Sequence, residues 1–365
     1  MATQESARVH EPLSSAVERA DQCDAAGAHG DAVSLLATAA RKHDVEALTR
    51  LGKRLLVGDR APCLPKDGAG LVADASHRGG AEAAAVLAVL YALGASPRHD
   101  APAALESLIV AAERGWPAAQ AQLQVLSGSP FSTDDLGVIG GKEGTSAAVD
   151  WRALGTTVDL RAWQNAPAFK DLSTSPLVRS HHALVSARMC RWFIERARGR
   201  LSRALVYDAI SREVTATPVR TNTAAAFNLI ETDLVFVLAQ LRMSACLSVP
   251  LRHFEAVTVL HYDVGEEITE HYDFIDPNLP SYREEIAEKG DRVATFLVYL
   301  NDDYGAGHTA FPRLGVDHKG TRGEGVFFVN AKDGRADTRT LHAGRPPAGG
   351  EKWIISQFVR DRPLL

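Results

Sequence analysis

Cysteine is scarce in this chain: there are 4 in 365 residues, Cys23, Cys63, Cys190 and Cys246, far apart and with no CxxC pair. That spacing excludes a zinc ribbon or a disulfide framework and reads as reduced thiols in a cytoplasmic protein. Long apolar runs are missing too. The greasiest stretches, near Leu234–Leu241 and Val293–Leu300, are about eight residues, far short of a bilayer span, so no membrane partner is expected. Positive charge is not in excess: the formal net charge is −5. A protein that displaces counterions from a phosphate backbone needs the opposite balance, so no nucleic acid partner is expected. Met1–Val17 carries Glu5, Arg8, His10 and Glu11 and no apolar run, unlike a signal peptide.

What is present is ordinary globular material, 45% hydrophobic and 23% charged, and a length that suggests two domains. Residues 19–127 are rich in alanine and leucine, and they repeat. Leu36, Val72 and Leu108 are 36 apart, as are Ala39, Ala75 and Ala111; so are Ala47, Ala83 and Ala119, and Leu51, Leu87 and Leu123. Such a period predicts stacked helical hairpins, with small alanines where helices approach and Gly79 and Gly115 in the turns between them. The segment resembles the Sel-one-like branch of the tetratricopeptide superfamily. An array of this kind serves either as a docking surface, for a protein partner or a second copy of the chain, or as a cap over the next domain.

Ser127–Asp150 is broken by Gly128, Pro130, Gly137, Gly140, Gly141 and Gly144 and reads as a linker. The domains expected are therefore a helical repeat domain at 1–127, a linker at 128–150 and a second domain at 151–365. In the second domain, Pro176–Ala197 reads as an amphipathic helix and Thr223–Leu241 as a second helix, with Thr223 as N-cap. From Phe254 onward short β-rich runs dominate: Phe254–Tyr262, Ile268–Phe274, Val293–Leu300, Gly325–Val329, Thr338–His342 and Lys352–Val359. Many short strands separated by turns indicate a sandwich or barrel.

His271 and Asp273 lie two apart in one of these runs, and side chains two apart on a strand share a face. With His342 at the end of another run they make two histidines and a carboxylate, the set that holds non-haem iron on one side and leaves the other open. His261-Tyr262-Asp263 has the same H-x-D pattern ten residues earlier. The later triplet is preferred because it follows a Tyr262-x-x-Gly265 turn, and because His342 is followed by a Pro/Gly turn and then by Lys352. That turn is expected to fold the chain back antiparallel and set a cation beside the metal, where the distal carboxylate of 2-oxoglutarate would need one.

Several landmarks stand in order: Arg220-Thr221-Asn222, Tyr262-x-x-Gly265, His271-x-Asp273, Gly307-His308-Thr309-x-Phe311-Pro312, Asn330-x-x-Asp333-Gly334, and His342-Ala343-Gly344 running on to Lys352-Trp353. Through them, roughly Pro176–Pro363 resembles the prolyl 4-hydroxylase family of iron(II)/2-oxoglutarate oxygenases. The resemblance implies a double-stranded β-helix, or jelly-roll, so that the fold expected is an α+β multidomain chain: helical repeat hairpins, then the jelly-roll with flanking helices. It implies Fe(II), 2-oxoglutarate and O2 as cofactor and cosubstrates, with ascorbate in support, and it implies that Tyr262, Lys352 and Thr309 hold the 2-oxoglutarate. Glu255 and Arg220 match substrate-side positions of the family. His308 stands where the family has Glu, Ile268 where an aromatic is common, and Phe358 where a tryptophan is usual; these departures bear on the substrate pocket.

The function read from the sequence is hydroxylation of an unactivated C–H bond. Asp273 favours hydroxylation over halogenation, because a halide would need the position the carboxylate fills. A small free amino or imino acid, of proline or pipecolate type, is the first substrate expected, and a prolyl residue in a peptide or protein delivered by the repeats is the alternative. A non-catalytic interaction protein is the reading against which an intact His271–Asp273–His342–Lys352 set argues.

Overall fold

The computed structural model describes residues 15–94, 100–128, 149–207, 214, 215, 218–332 and 334–364. Helices come first: α1 (Ala16–Ala25), α2 (His29–Ala40), α3 (Val45–Val57), α4 (Pro65–His77), α5 (Ala81–Leu93), α6 (Ala101–Glu113) and α7 (Pro117–Leu126). The 36-residue period superposes α2, α4 and α6 in sequence, and likewise α3, α5 and α7. All the repeat positions are buried except Ala39, which is half-buried. Local signals start these helices. Asp44 and Asp100 accept hydrogen bonds from the Ala47 and Ala103 amides, and Pro65 and Pro117 open α4 and α7. Glycine joins the small alanines where α3 and α4 approach. A Cβ on Gly52 of α3 would lie 2.9 Å from the Gly68 carbonyl oxygen of α4, and one on Gly68 only 2.7 Å from that of Gly52.

The chain divides into two compact units at Leu87/Ala88. Of the expected linker, residues 129–148 lie outside the described residues. The last repeat, α6–α7, falls by its packing in the second unit. Arg152, in α8 (Trp151–Thr156), grips Glu106 and Glu113 of α6, and Gln122 of α7 accepts the Leu234 amide hydrogen bond at 3.0 Å.

The second unit is built on two antiparallel sheets. Their strands are β1 (Phe169–Thr174), β2 (Leu177–His181), β3 (Ser202–Arg203), β4 (Thr223–Phe227), β5 (Val257–Tyr262), β6 (Ile268–His271), β7 (Arg292–Tyr299), β8 (Thr309–Phe311), β9 (Val316–His318), β10 (Gly325–Val329), β11 (His342–Gly344) and β12 (Lys352–Arg360). The eight-stranded sheet runs β1-β2-β10-β7-β12-β5-β4-β3 and the four-stranded sheet β9-β8-β11-β6. From β5 onward the chain passes back and forth between the sheets, apart from the β8–β9 hairpin that stays in the four-stranded one, which is the winding of a jelly-roll. Tyr262, Leu260, Leu297, Tyr299, Phe311, Val326, Phe328 and Ile354 form the core between them. Helices α9 (Ala187–Arg198), α10 (Leu234–Leu247) and α11 (Pro280–Lys289) flank the sheets. Among the described residues no helix is long and apolar enough to cross a membrane.

Both helices expected in this half are shorter than read. Leu177–His181 is a strand between β1 and β10, and the helix starts only after Ser186, whose hydroxyl caps α9. Thr223–Phe227 is likewise a strand, paired with β5 and β3, and Asp233, not Thr223, caps α10. In both segments pairing with neighbouring strands overrides local helix propensity. Residues 338–340 form a 3-10 turn, leaving only His342–Gly344 as strand.

Candidate metal and anion site

His271 is the last residue of β6, and Asp273 lies just beyond the strand, so a bend after β6, not strand pleat alone, sets the pair. β11 pairs His342 directly with His271. The imidazole and carboxylate ligand atoms of His271, Asp273 and His342 all lie within 4.8 Å of one another. The His271 Nε2 is 3.5 Å from Asp273 Oδ1, the His342 Nε2 is 3.4 Å from Oδ2, and the two imidazoles are 4.2 Å apart. Each imidazole Nδ1–H is committed to a backbone carbonyl, Thr269 at 2.8 Å and Thr340 at 3.0 Å. In the neutral rings this leaves both Nε2 lone pairs turned toward the carboxylate, the arrangement a metal ligand needs. Burial alone would raise the Asp273 carboxyl, but the charge and hydrogen bonds of His342 and His271 outweigh it and hold it well below the usual carboxylate range. Burial would also lower His342, and the Asp273 charge outweighs it in the opposite direction. Asp273 is thus held as a carboxylate that favours positive charge at His342, and the donor set fits a divalent cation of the iron type.

The turn after His342 does not make the expected hairpin. β11 belongs to the four-stranded sheet and β12 to the eight-stranded one, so the chain crosses between sheets and Lys352 pairs with Tyr262 of β5. Lys352 still faces the same cavity, of about 470 Å³, because Lys352, Ile354, Ser356 and Phe358 alternate inward along β12. Its side chain is fully buried, and Nζ has no hydrogen-bond partner among the described residues. The amine lies 5.2 Å from the Tyr262 ring centre and 5.9 Å from that of Tyr299, and burial pushes it down to about 7. A buried amine without a counter-charge marks an anion site. Tyr262 is pushed up to about 12 by burial and stays a donor. The Tyr299 hydroxyl donates to Thr309 Oγ1 at 2.8 Å, which leaves the Thr309 proton available to the cavity.

Arg220, Ile268 and Phe358 line the cavity. Glu255 and His308 do not. Glu255 pairs with Arg292, which itself lines the cavity, and with Arg360, and the two hold its carboxyl low against its burial. His308 is half-buried, and its carbonyl accepts from the Arg345 amide. Asp333 lies outside the described residues. His261 points to the other face of β5 from Tyr262, as strand alternation requires. Although His261, Asp263 and Glu266 also cluster, both His261 nitrogens are engaged, with Thr223 Oγ1 at 3.1 Å and Glu351 at 2.9 Å, and Asp263 is 74% exposed. Three residues went unread in the sequence. Arg292 stacks 3.8 Å over Phe358, Tyr299 holds Thr309, and Thr295 bonds Asp273. Period-2 reading of β7 groups Thr295 and Tyr299 with Leu297, which lines the cavity; no local signal marks Arg292.

Residues 257–360 match the profile of the 2OG-Fe(II) oxygenase superfamily. They are a 2OG-Fe(II) oxygenase domain. Members use Fe(II), 2-oxoglutarate and O2, and the chain is a dioxygenase of the hydroxylase type. It is 28% identical over 206 residues to prolyl 4-hydroxylase 1 of Arabidopsis thaliana, covering 52% of this chain and 71% of that protein. It is 30% identical over 169 residues to the prolyl 4-hydroxylase subunit alpha-1 of Gallus gallus, covering 46% of this chain but only 32% of that subunit. Among solved structures, the viral collagen prolyl hydroxylase of Paramecium Bursaria Chlorella virus-1, in its 2OG complex, shares 25% identity at a TM-score of 0.39, over 50% of this chain and 94% of that one. A Sel1 repeat protein from Oxalobacter formigenes shares 19% at a TM-score of 0.25, over 37% of this chain and 52% of that one.

Proposed function

We propose that the oxygenase domain hydroxylates a prolyl ring within a peptide or protein. The carrying observation is a single cavity that holds both an uncommitted buried lysine and two imidazole lone pairs beside a carboxylate. In this reading His271, Asp273 and His342 hold iron, and Lys352, Tyr262 and Thr309 hold the far carboxylate of 2-oxoglutarate. The bound metal, with 2-oxoglutarate and oxygen, supplies the oxidising power. The chain's own contribution is to orient the target carbon and keep water away, with Leu260, Leu297 and Ile354 as apolar wall. A non-catalytic role leaves the buried Lys352 charge without a purpose.

The relatives named above as prolyl 4-hydroxylases move a prolyl substrate ahead of the free imino acid that the sequence put first. One observation keeps the free acid as a second reading. Arg220 lines the cavity, and its guanidinium has one hydrogen bond among the described residues, Nε to Asn222 Oδ1 at 3.0 Å, so its outer nitrogens suit a carboxylate. Succinate release by the full chain with Fe(II), 2-oxoglutarate and ascorbate, across proline peptides, free proline and pipecolate, separates the two. Peptide-dependent release is expected. Release driven only by the free acids would replace the first reading with the second, and release driven by neither would overturn both.

A further inference from the structure

Asp273 stands beyond the end of β6, so no strand pairing orients its carboxylate. Two side chains from the opposite sheet and its exit do. Thr295 on β7 donates its hydroxyl proton to Asp273 Oδ2 at 2.7 Å, and Asn330, the residue after β10, donates through Nδ2 to Thr295 Oγ1 at 2.8 Å. Asp273, Thr295 and Asn330 are 8%, 1% and 0% exposed. The direction of the chain of bonds follows from chemistry. An amide nitrogen only donates, so the threonine oxygen accepts from Asn330 and must spend its single proton on the carboxylate. Asn330 is itself fixed through its backbone, with its amide on the Val293 carbonyl and its carbonyl accepting from Asp337, both at 2.8 Å. Its side-chain oxygen is buried with no partner among the described residues. A buried orphan acceptor is costly, and tolerating one here makes sense if the other half of the amide is needed where it is.

We infer that Asn330 and Thr295 are positioning residues that load Asp273 Oδ2 with a hydrogen bond and leave Oδ1 as the oxygen offered to the metal. The inference rests on the reading of His271, Asp273 and His342 as ligands. A carboxylate free to rotate can present both oxygens to a cation and occupy a position that cosubstrate and oxygen require. One already holding a short hydrogen bond on Oδ2 presents one. Thr295 thus acts through Asp273 and touches neither substrate nor cosubstrate in this scheme.

The test is Mn(II) binding to the full chain by calorimetry, without oxygen or substrate, so that it reads affinity and not turnover. Thr295→Val keeps the shape and removes the proton; about a 10- to 100-fold rise in Kd is expected, the usual scale for an outer-shell partner of a metal ligand. Thr295→Ser keeps the hydroxyl and should stay near the parent. Asn330→Ala frees the hydroxyl rotor and should give a smaller loss. Because Asn330 acts only through Thr295, the double variant Thr295→Val/Asn330→Ala should bind no worse than Thr295→Val alone. Circular dichroism and urea unfolding check that each variant folds. A folded Thr295→Val with Kd within about twofold of the parent would overturn the relay, as would losses that simply add. His342→Ala is the control for the underlying reading. If it leaves Mn(II) affinity intact, the ligand assignment fails; if it abolishes binding while Thr295→Val does not matter, only the relay fails.

Discussion

Lys352 is charged at a cost to the fold, and removing the charge should make the domain more stable while ending its activity. Its amine has no hydrogen-bond partner among the described residues and is fully buried, and burial holds its pKa near 7 against an ordinary 10.5. At about 1.4 kcal/mol for each pH unit of difference, keeping the amine protonated costs the folded state up to about 5 kcal/mol. The sign follows from proton counting. Between pH 7 and 10.5 the unfolded chain holds the proton and the folded chain does not, so stability from this group rises with pH. The cost is full below pH 7 and gone above 10.5. Lys352→Met, which fills the same slot between Tyr262 and Tyr299, should therefore gain about 5 kcal/mol at pH 6.5 and only about 1 kcal/mol at pH 9.5. The five tryptophans, Trp116, Trp151, Trp163, Trp192 and Trp353, all lie in the second unit, so their fluorescence in urea reports that unit alone. Added 2-oxoglutarate should stabilise the parent at pH 6.5 by supplying the missing counter-charge, and should not stabilise the variant. A gain no larger at pH 6.5 than at pH 9.5, or a loss of stability at both, would refute the buried-charge argument.

His271→Ala, Asp273→Ala and His342→Ala should each abolish 2-oxoglutarate turnover, whereas His261→Ala should keep measurable activity; succinate assays on the four variants check this, and an inactive, folded His261→Ala would put the ligands in the wrong triplet. Gly344→Val should block cosubstrate binding with the fold intact, because even a Cβ there would lie 2.9 Å from Ile268 and 3.5 Å from the Tyr262 hydroxyl; an unchanged KM for 2-oxoglutarate would refute it. A fragment starting at Ala81 should fold and turn over, while one starting at Trp151 should aggregate, since it exposes the surface that α6 and α7 cover and orphans the buried Leu234 amide; size-exclusion chromatography separates the outcomes.

The sequence by itself determined what depends on local chemistry and on period. Repetition at 36 residues located the helices of the array, because each repeat must bury the same small and large apolar positions whatever its neighbours do. The H-x-D spacing, His342 and Lys352 named the candidate site, because only a few residue types can bind a divalent cation and a carboxylate. Tertiary structure decided the rest. Thr223-Ala224-Ala225-Ala226 has helical composition, yet it is a strand because β5 and β3 lie on either side of it. His261 and His271 share a motif, and strand parity together with the crossing partners, Thr223 and Glu351 for one and His342 for the other, separates them. Lys352 reached the cavity by a crossover between sheets and not by the hairpin its spacing suggested. The Asn330–Thr295–Asp273 chain joins residues 35 and 22 positions apart, and Glu255 was drawn away from the cavity by Arg360, 105 positions on. Contacts of that range leave no periodic trace in a sequence, since they are set by which strands pair across the sheets and not by the residues beside them.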